Sequence, residues 1–410
     1  MRRLLVVALL AAPAAGQSRD CDGYYTPLVV PDGFCTRIFA DSVGPVRQVF
    51  VHPDGQIVAA LNGPPGLIRL RDADHDGRAE SRITFGPGQG GTGVTWRGGW
   101  LYFAADSGVV RYRWPAEADA PDTVAQWIAT DLPVGDYGSA HTMKGIAVGT
   151  DGAVYVSIGS QTDNCQVEDR KPRSPGQWPC AELERRAGIW RFQPPAAAGE
   201  PWSMRRFSTG LRNDEALAID PPTGILWGMT QGRDFLNAQW GWDDTTSANQ
   251  PAELLEQLVD GGDYGWPYCM GYWTRETTRL MPAPEYSGRP ESDCATKNQP
   301  VMGFPGHWAP MAIAVVNATA ATVPHPGLYL AFHGSRSRRP LAETGHFVVF
   351  VPFDASGRPV AGYRIMLRSG GAPGSLRPAG VAVAIDGNIY VTDDENGRVI
   401  RIEPHPGVRH

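Results

Sequence analysis

Lysine is nearly missing from this 410-residue chain: Lys144, Lys171 and Lys297 are all there are, so 34 of its 37 basic residues are arginine. A basic excess is missing too. With 43 acidic residues the formal net charge is −6, which argues against a nucleic-acid partner, since phosphate backbones call for a positive patch. Beyond the first 16 residues no apolar run approaches the roughly 20 residues needed to span a bilayer, so no membrane span is expected. The cysteines show no CxxC spacing, which sets aside a thiolate metal site. What the chain has in excess is Gly (49) and Pro (36), about a fifth of all residues against a usual share of roughly an eighth. Such punctuation favours many short strands over long helices.

Residues 1–16 read as a secretory signal peptide: Arg2 and Arg3, an apolar run from Leu4 to Ala12, then small residues up to Gly16. This implies a periplasmic or secreted protein, with 17–410 as one mature domain. Six cysteines in an exported chain read as disulfides, with fifteen connectivities formally open. They fall in three local couples, which predicts Cys21–Cys35, Cys165–Cys180 and Cys269–Cys294.

One phrase, an apolar strand, a turn and a second apolar strand, recurs six times, at 48–61, 93–105, 145–159, 216–230, 312–334 and 380–402. Turn pairs such as Asp54-Gly55, Gly98-Gly99, Asp151-Gly152 and Asp386-Gly387 between period-2 apolar runs are hairpin signals. Six hairpins spaced by about 40 to 90 residues fit an all-β, six-bladed β-propeller with long inter-blade loops; two β-sandwiches are the rival. Two segments break the rhythm, near 160–188 and 232–300, each holding one expected disulfide. The best helix candidate is Pro251 to Val259, where Leu254, Leu255 and Leu258 could share a face. The string DADHDG (72–77) opens like a calcium loop, but Ile83 stands where an EF-hand needs Glu, so an acidic hairpin turn is expected there, with a structural calcium site that adds Glu80 as the second reading.

Chemistry-bearing residues lie just ahead of the repeated hairpins: Gln89 before the second, His141 before the third, Arg212-Asn213 before the fourth, His307 before the fifth and Arg377 before the sixth. Equivalent offsets in successive blades bring such groups to one end of the central channel. A ring of Arg, amides and His suits a planar polyanion beside an abstractable proton, because guanidinium pairs with carboxylates in a flat, bidentate way and neutral imidazole can act as a base.

The strings HTMKGIAVGTDGAVYVSIGS, GLRNDEALAID, DGGDYGWPYCMG, HGSRSR and RPAGVAVAIDGNIYVTDD resemble those of the glucose/sorbosone dehydrogenase family, over about residues 30 to 404. The resemblance implies an exported propeller using pyrroloquinoline quinone (PQQ) and calcium to oxidise a sugar or sugar aldehyde, with electrons passing to an external acceptor. It further implies His141 as the base, Arg212 and Asn213 against the quinone, and backbone carbonyls of the Gln231-Gly232-Arg233 stretch at the calcium. Arg338 and Arg377, with Gln89, would contact the cofactor. A non-catalytic propeller that binds a carbohydrate or protein partner is the alternative.

Overall fold

A computed structural model describes residues 21, 25, 27–135, 141–197, 199–317, 325–371 and 375–404. The signal segment 1–16 lies outside them.

Six sheets form the blades, antiparallel except where Gly262–Asp263 adds in parallel to the edge of blade 3, and each predicted hairpin supplies the inner strands of one. Blade 1 is built on Val46–Val51 and Ile57–Leu61, blade 2 on Gly91–Arg97 and Trp100–Ala105, and blade 3 on Ile146–Val148 and Val154–Ile158. Blade 4 starts with Ala216–Ile219 and Leu226–Thr230, blade 5 with Pro310–Val316 and Gly327–His333, and blade 6 with Pro378–Val383 and Ile389–Asp393. The first strand of every blade lines a central channel enclosing about 270 Å³, with Gln48, Val94, Ile146, Leu217, Ala312 and Val381 among its walls. Apolar clusters fill the spaces between neighbouring blades, for example Val58, Leu101, Phe103 and Trp114 between blades 1 and 2.

The ring closes through its two ends. Phe34–Ala40 is the outer strand of blade 6, paired antiparallel with Arg398–Pro404, and Leu28–Val29 adds to the edge of blade 5. Closure leaves few free sheet edges.

All three expected disulfides are present: Cys21–Cys35, Cys165–Cys180 and Cys269–Cys294. The second lies in the connection between Val154–Ile158 and Gly188–Gln193 and packs with Trp266, Tyr268 and Tyr286 from the later insertion, so the two insertions form one layer. That later insertion is divided. The expected helix at Pro251 to Val259 is instead the strand Glu253–Leu258, third in blade 4, with only Gln257 exposed. Leu255 packs toward blade 5, Leu258 toward blade 3 and Leu254 against Cys269, Leu280 and Cys294 of the insertion, so both faces of this strand are covered and polar–apolar alternation is lost. The α-helices among the described residues are Leu236–Trp240 and Asp244–Asn249, the second capped by Asp243, whose carboxylate accepts from Thr246 N at 2.9 Å. The acidic string 72–77 is a hairpin turn whose carboxylates cap their own backbone, as in Gly77 N to Asp72 Oδ2 at 3.0 Å. No helix among the described residues is long and apolar enough to cross a membrane.

Candidate active site

An antiparallel blade puts the start of its first strand and the end of its second at the same end of the channel. His141, Arg212, Asn213, His307, Arg377 and Gln89 precede first strands, while Ser160, Gln231, Asp106, His333 and Asp394 end or follow second strands. The structure therefore gathers the sequence-derived residues at one mouth.

Ser160 fixes His141. The His141 amide donates to the Ser160 carbonyl at 3.1 Å, and Nδ1 lies 3.1 Å from that same oxygen and 3.0 Å from Ser160 Oγ. The serine hydroxyl donates its one hydrogen to Thr162 O at 2.7 Å, so both oxygens facing Nδ1 are acceptors. Nδ1 must then carry the ring proton, which leaves the lone pair on Nε2. Nε2 has no partner among the described residues. Burial, with the positive charge of Arg212 added, pulls the imidazole pKa from 6.5 to about 3, against the opposing fields of Asp163 and Asp234. Lys144 braces the same segment: it is 1% exposed and donates to Thr142 O at 2.8 Å and Asp106 O at 2.5 Å, with burial lowering its pKa to about 8.

Arg212 is buried and fully engaged. It donates Nε to Asp163 O (3.0 Å), Nη2 to Asp163 Oδ1 (2.7 Å) and Nη1 to Gly232 O (2.9 Å). Asp163 also faces Arg233 at 3.4 Å and Arg170 at 3.8 Å, and although burial opposes ionisation, these guanidinium charges hold its carboxyl below the usual range. The Arg233 side chain belongs to this structural hub, reaching Glu285 at 2.5 Å and Gln239 at 2.6 Å.

Asn213 donates to Glu215 Oε1 and Gln231 Oε1, both at 3.1 Å, while its own Oδ1 is buried with no partner. Gly159 separates this oxygen from His141: a Cβ there would stand 2.5 Å from His141 Cβ and 2.9 Å from Asn213 Oδ1. Below lies a polar floor missed by sequence reasoning. His333 Nε2 meets Asp394 at 2.9 Å, Asp394 meets Arg47 Nη1 at 3.0 Å, and Arg47 Nη2 meets Glu215 at 2.8 Å, linking blades 5, 6, 1 and 4. Gln48 crosses as well, donating to Glu215 O and Met311 O at 2.7 Å each.

The remaining expected residues differ in how open they are. Arg377 is occupied by Glu343 (2.7 Å) and Glu395 (3.2 Å). Arg338 has no carboxylate partner among the described residues; its Nη1 is held by Ala248 O, Asn249 Oδ1 and Gly306 O, and its Nη2 is open. Gln89 accepts from Ser107 Oγ at 2.8 Å, which leaves its amide nitrogen for a ligand. His307 is buried between Asp234, 3.3 Å from Nδ1, and Ser247 O, 2.9 Å from Nε2; although burial opposes it, the Asp234 contact raises its pKa.

The TrAA12-like family profile matches residues 28–405. The chain belongs to the TrAA12-like family. This agrees with the resemblance read from the sequence. No curated protein sequence is detectably similar to it. Among solved structures it resembles the calcium structure of a Trichoderma reesei carbohydrate-active enzyme of family AA12, with TM-score 0.74 and 19% identity over 94% of this chain and 99% of that one. It also resembles the holo form of the pyranose dehydrogenase PQQ domain from Coprinopsis cinerea, with TM-score 0.70 and 20% identity over 96% and 100% of the two chains. The PQQ-bound aldose sugar dehydrogenase from Streptomyces coelicolor follows at TM-score 0.55 and 17% identity, over 92% and 99%. These likenesses establish the six-bladed propeller.

Proposed function

We propose that this member of the TrAA12-like family is an exported PQQ-dependent dehydrogenase that oxidises a sugar or sugar aldehyde at its anomeric or aldehyde carbon. The observation that carries the reading is the imidazole of His141, locked by Ser160 in the tautomer that leaves Nε2 free at the mouth of the channel. Family membership and the PQQ named for two of its structural relatives support it.

The donor set fits such a group. Among the described residues, four polar atoms at or beside the mouth lack protein partners: His141 Nε2, Asn213 Oδ1, Arg338 Nη2 and Gln89 Nε2. Arg338, a buried guanidinium facing no carboxylate, suits a cofactor carboxylate, with Asn213 and the Gln89 amide as further contacts. The Gln231 and Gly232 carbonyls each keep a lone pair beyond the one turned to Arg212, and hard oxygens of this kind suit calcium. PQQ, when bound, supplies a two-electron acceptor for the hydride leaving the substrate carbon, and calcium a Lewis acid beside it.

The chain's own part is positional and electrostatic. His141 Nε2 takes the hydroxyl proton of the substrate, and because burial and the Arg212 field keep the imidazolium acidic, that proton is passed on rather than held. The same positive field, anchored by Asp163, favours negative charge developing at the mouth. The floor of Arg47, Glu215 and Asp394 closes the channel beneath the substrate.

Apoprotein mixed with PQQ and calcium is expected to change the quinone absorbance, to melt at higher temperature and to reduce a dye with one or more aldoses. His141→Asn should abolish turnover while keeping PQQ uptake. Undiminished turnover would remove His141 as the base, and sugar or partner binding without PQQ uptake would favour the non-catalytic alternative.

A further inference from the structure

In the wall between blades 3 and 4 stand two carboxyl groups that the proposed chemistry does not use. Asp214 directly follows Asn213 but turns away from it, and Asp214 and Glu256 are each 1% exposed. Glu256 pairs across the sheet with Gly228, and a Cβ on Gly228 would lie 3.1 Å from Asp214 Oδ2, so both carboxyls flank one glycine. Thr230, two residues along the same face, donates its hydroxyl to Glu256 Oε2 at 2.7 Å. Both oxygens of Asp214 and Oε1 of Glu256 have no partner among the described residues. Glu256 and Thr230 line a cavity of about 30 Å³, walled by Tyr264 and Trp266, with room for one small ion or water. Arg212 also borders it, but its guanidinium bonds go to Asp163 and Gly232.

Three open carboxyl oxygens, all buried and grouped around Gly228 and Thr230, are costly unless something satisfies them together. Only when a cation is present can both groups hold their charge together; two carboxylates then match a divalent ion, and an all-oxygen set of two carboxylates and a hydroxyl selects a hard cation over zinc or copper. We propose that Asp214, Glu256 and Thr230 bind one structural divalent cation of the calcium type within the wall between blades 3 and 4. The site is independent of the quinone reading, because none of its three side chains takes part in that chemistry. A cation here would tie the second and third strands of blade 4 to the segment that carries Arg212 and Asn213.

The test uses the full chain without PQQ. After calcium loading and gel filtration, metal analysis should find one more equivalent of calcium in the wild type than in the Asp214→Asn/Glu256→Gln double variant, whose amides preserve volume. Chelation should lower the melting temperature of the wild type by several degrees more than that of the variant, which keeps only the Gln231 and Gly232 carbonyls for calcium. Equal calcium content in the two proteins would overturn the proposal. Should the variant not fold, infrared spectra of the wild type decide: carboxylate bands that shift reversibly with calcium support the site. A protonated carboxyl stretch at neutral pH that ignores calcium would instead show two acids sharing a proton.

Discussion

Gly159→Ala places a single methyl group between the proposed base and the unpartnered amide oxygen of Asn213. The added carbon would lie 2.5 Å from His141 Cβ, 2.9 Å from Asn213 Oδ1 and 3.2 Å from His141 O. Carbon atoms rest at about 3.5 to 4.0 Å, so the imidazole stem must withdraw by about 1 Å. Gly159 does not require left-handed backbone, so the effect is steric and falls on His141 and Asn213. A displacement of about 1 Å at a reacting group costs on the order of 100-fold in rate, or about 2.7 kcal/mol of barrier. Steady-state dye reduction by the PQQ-loaded protein should therefore show kcat reduced about 100-fold, with PQQ uptake preserved. Overpacking should also lower stability by about 1 to 3 kcal/mol, measurable by urea unfolding. If kcat is undiminished while the stability loss appears, the methyl group is accommodated without moving His141, and the claim that its position governs turnover fails.

Two further outcomes follow from the same geometry. His141 has its pKa lowered from 6.5 to about 3 by burial and Arg212, so above pH 6.5 it is neutral in both folded and unfolded chains and its contribution to stability is full; between 6.5 and about 3 the unfolded chain binds the extra proton and that stability is lost. Denaturant titrations across this window should show a steeper fall for wild type than for His141→Asn, and the rate profile should lack an inflection near 6.5; identical slopes would contradict the lowered value. Replacing Cys165 and Cys180 by serine removes a cross-link spanning 15 residues, which should cost about 3 kcal/mol and shift the urea midpoint downward. An unchanged midpoint would mean that the packing of Trp266, Tyr268 and Tyr286 holds this layer unaided.

The ring was readable in the sequence because each blade repeats a local signal, two apolar runs around a turn pair, and local signals survive in one dimension. Glu253–Leu258 was not, because a strand covered on both faces shows no alternation, and buried Glu253 and Glu256 look like solvent-facing positions. At the mouth, His141, Arg212 and Asn213 could be found from a shared offset before each hairpin. Arg47, Glu215 and Asp394 could not, since their bonds join residues 168 and 347 positions apart and depend on the closed ring. Ser160 carried a weak signal, standing one residue beyond the repeated phrase at 145–159. Arg338 and Arg377 look alike in sequence, yet only the structure separates the guanidinium with an open end from the one claimed by Glu343 and Glu395.

The pairing of Phe34–Ala40 with Arg398–Pro404 makes the last residues of the chain a condition for the first. Blade 6 lacks its outer strand until the ends meet, and Arg47 finds Asp394 only then. Contacts of such high sequence separation form late and slowly, since a loop of several hundred residues must close before they repay its entropy. A chain truncated before blade 6 would therefore lose the floor of the site along with the ring, while a permuted chain opened at a surface loop and joined at its natural ends should regain both.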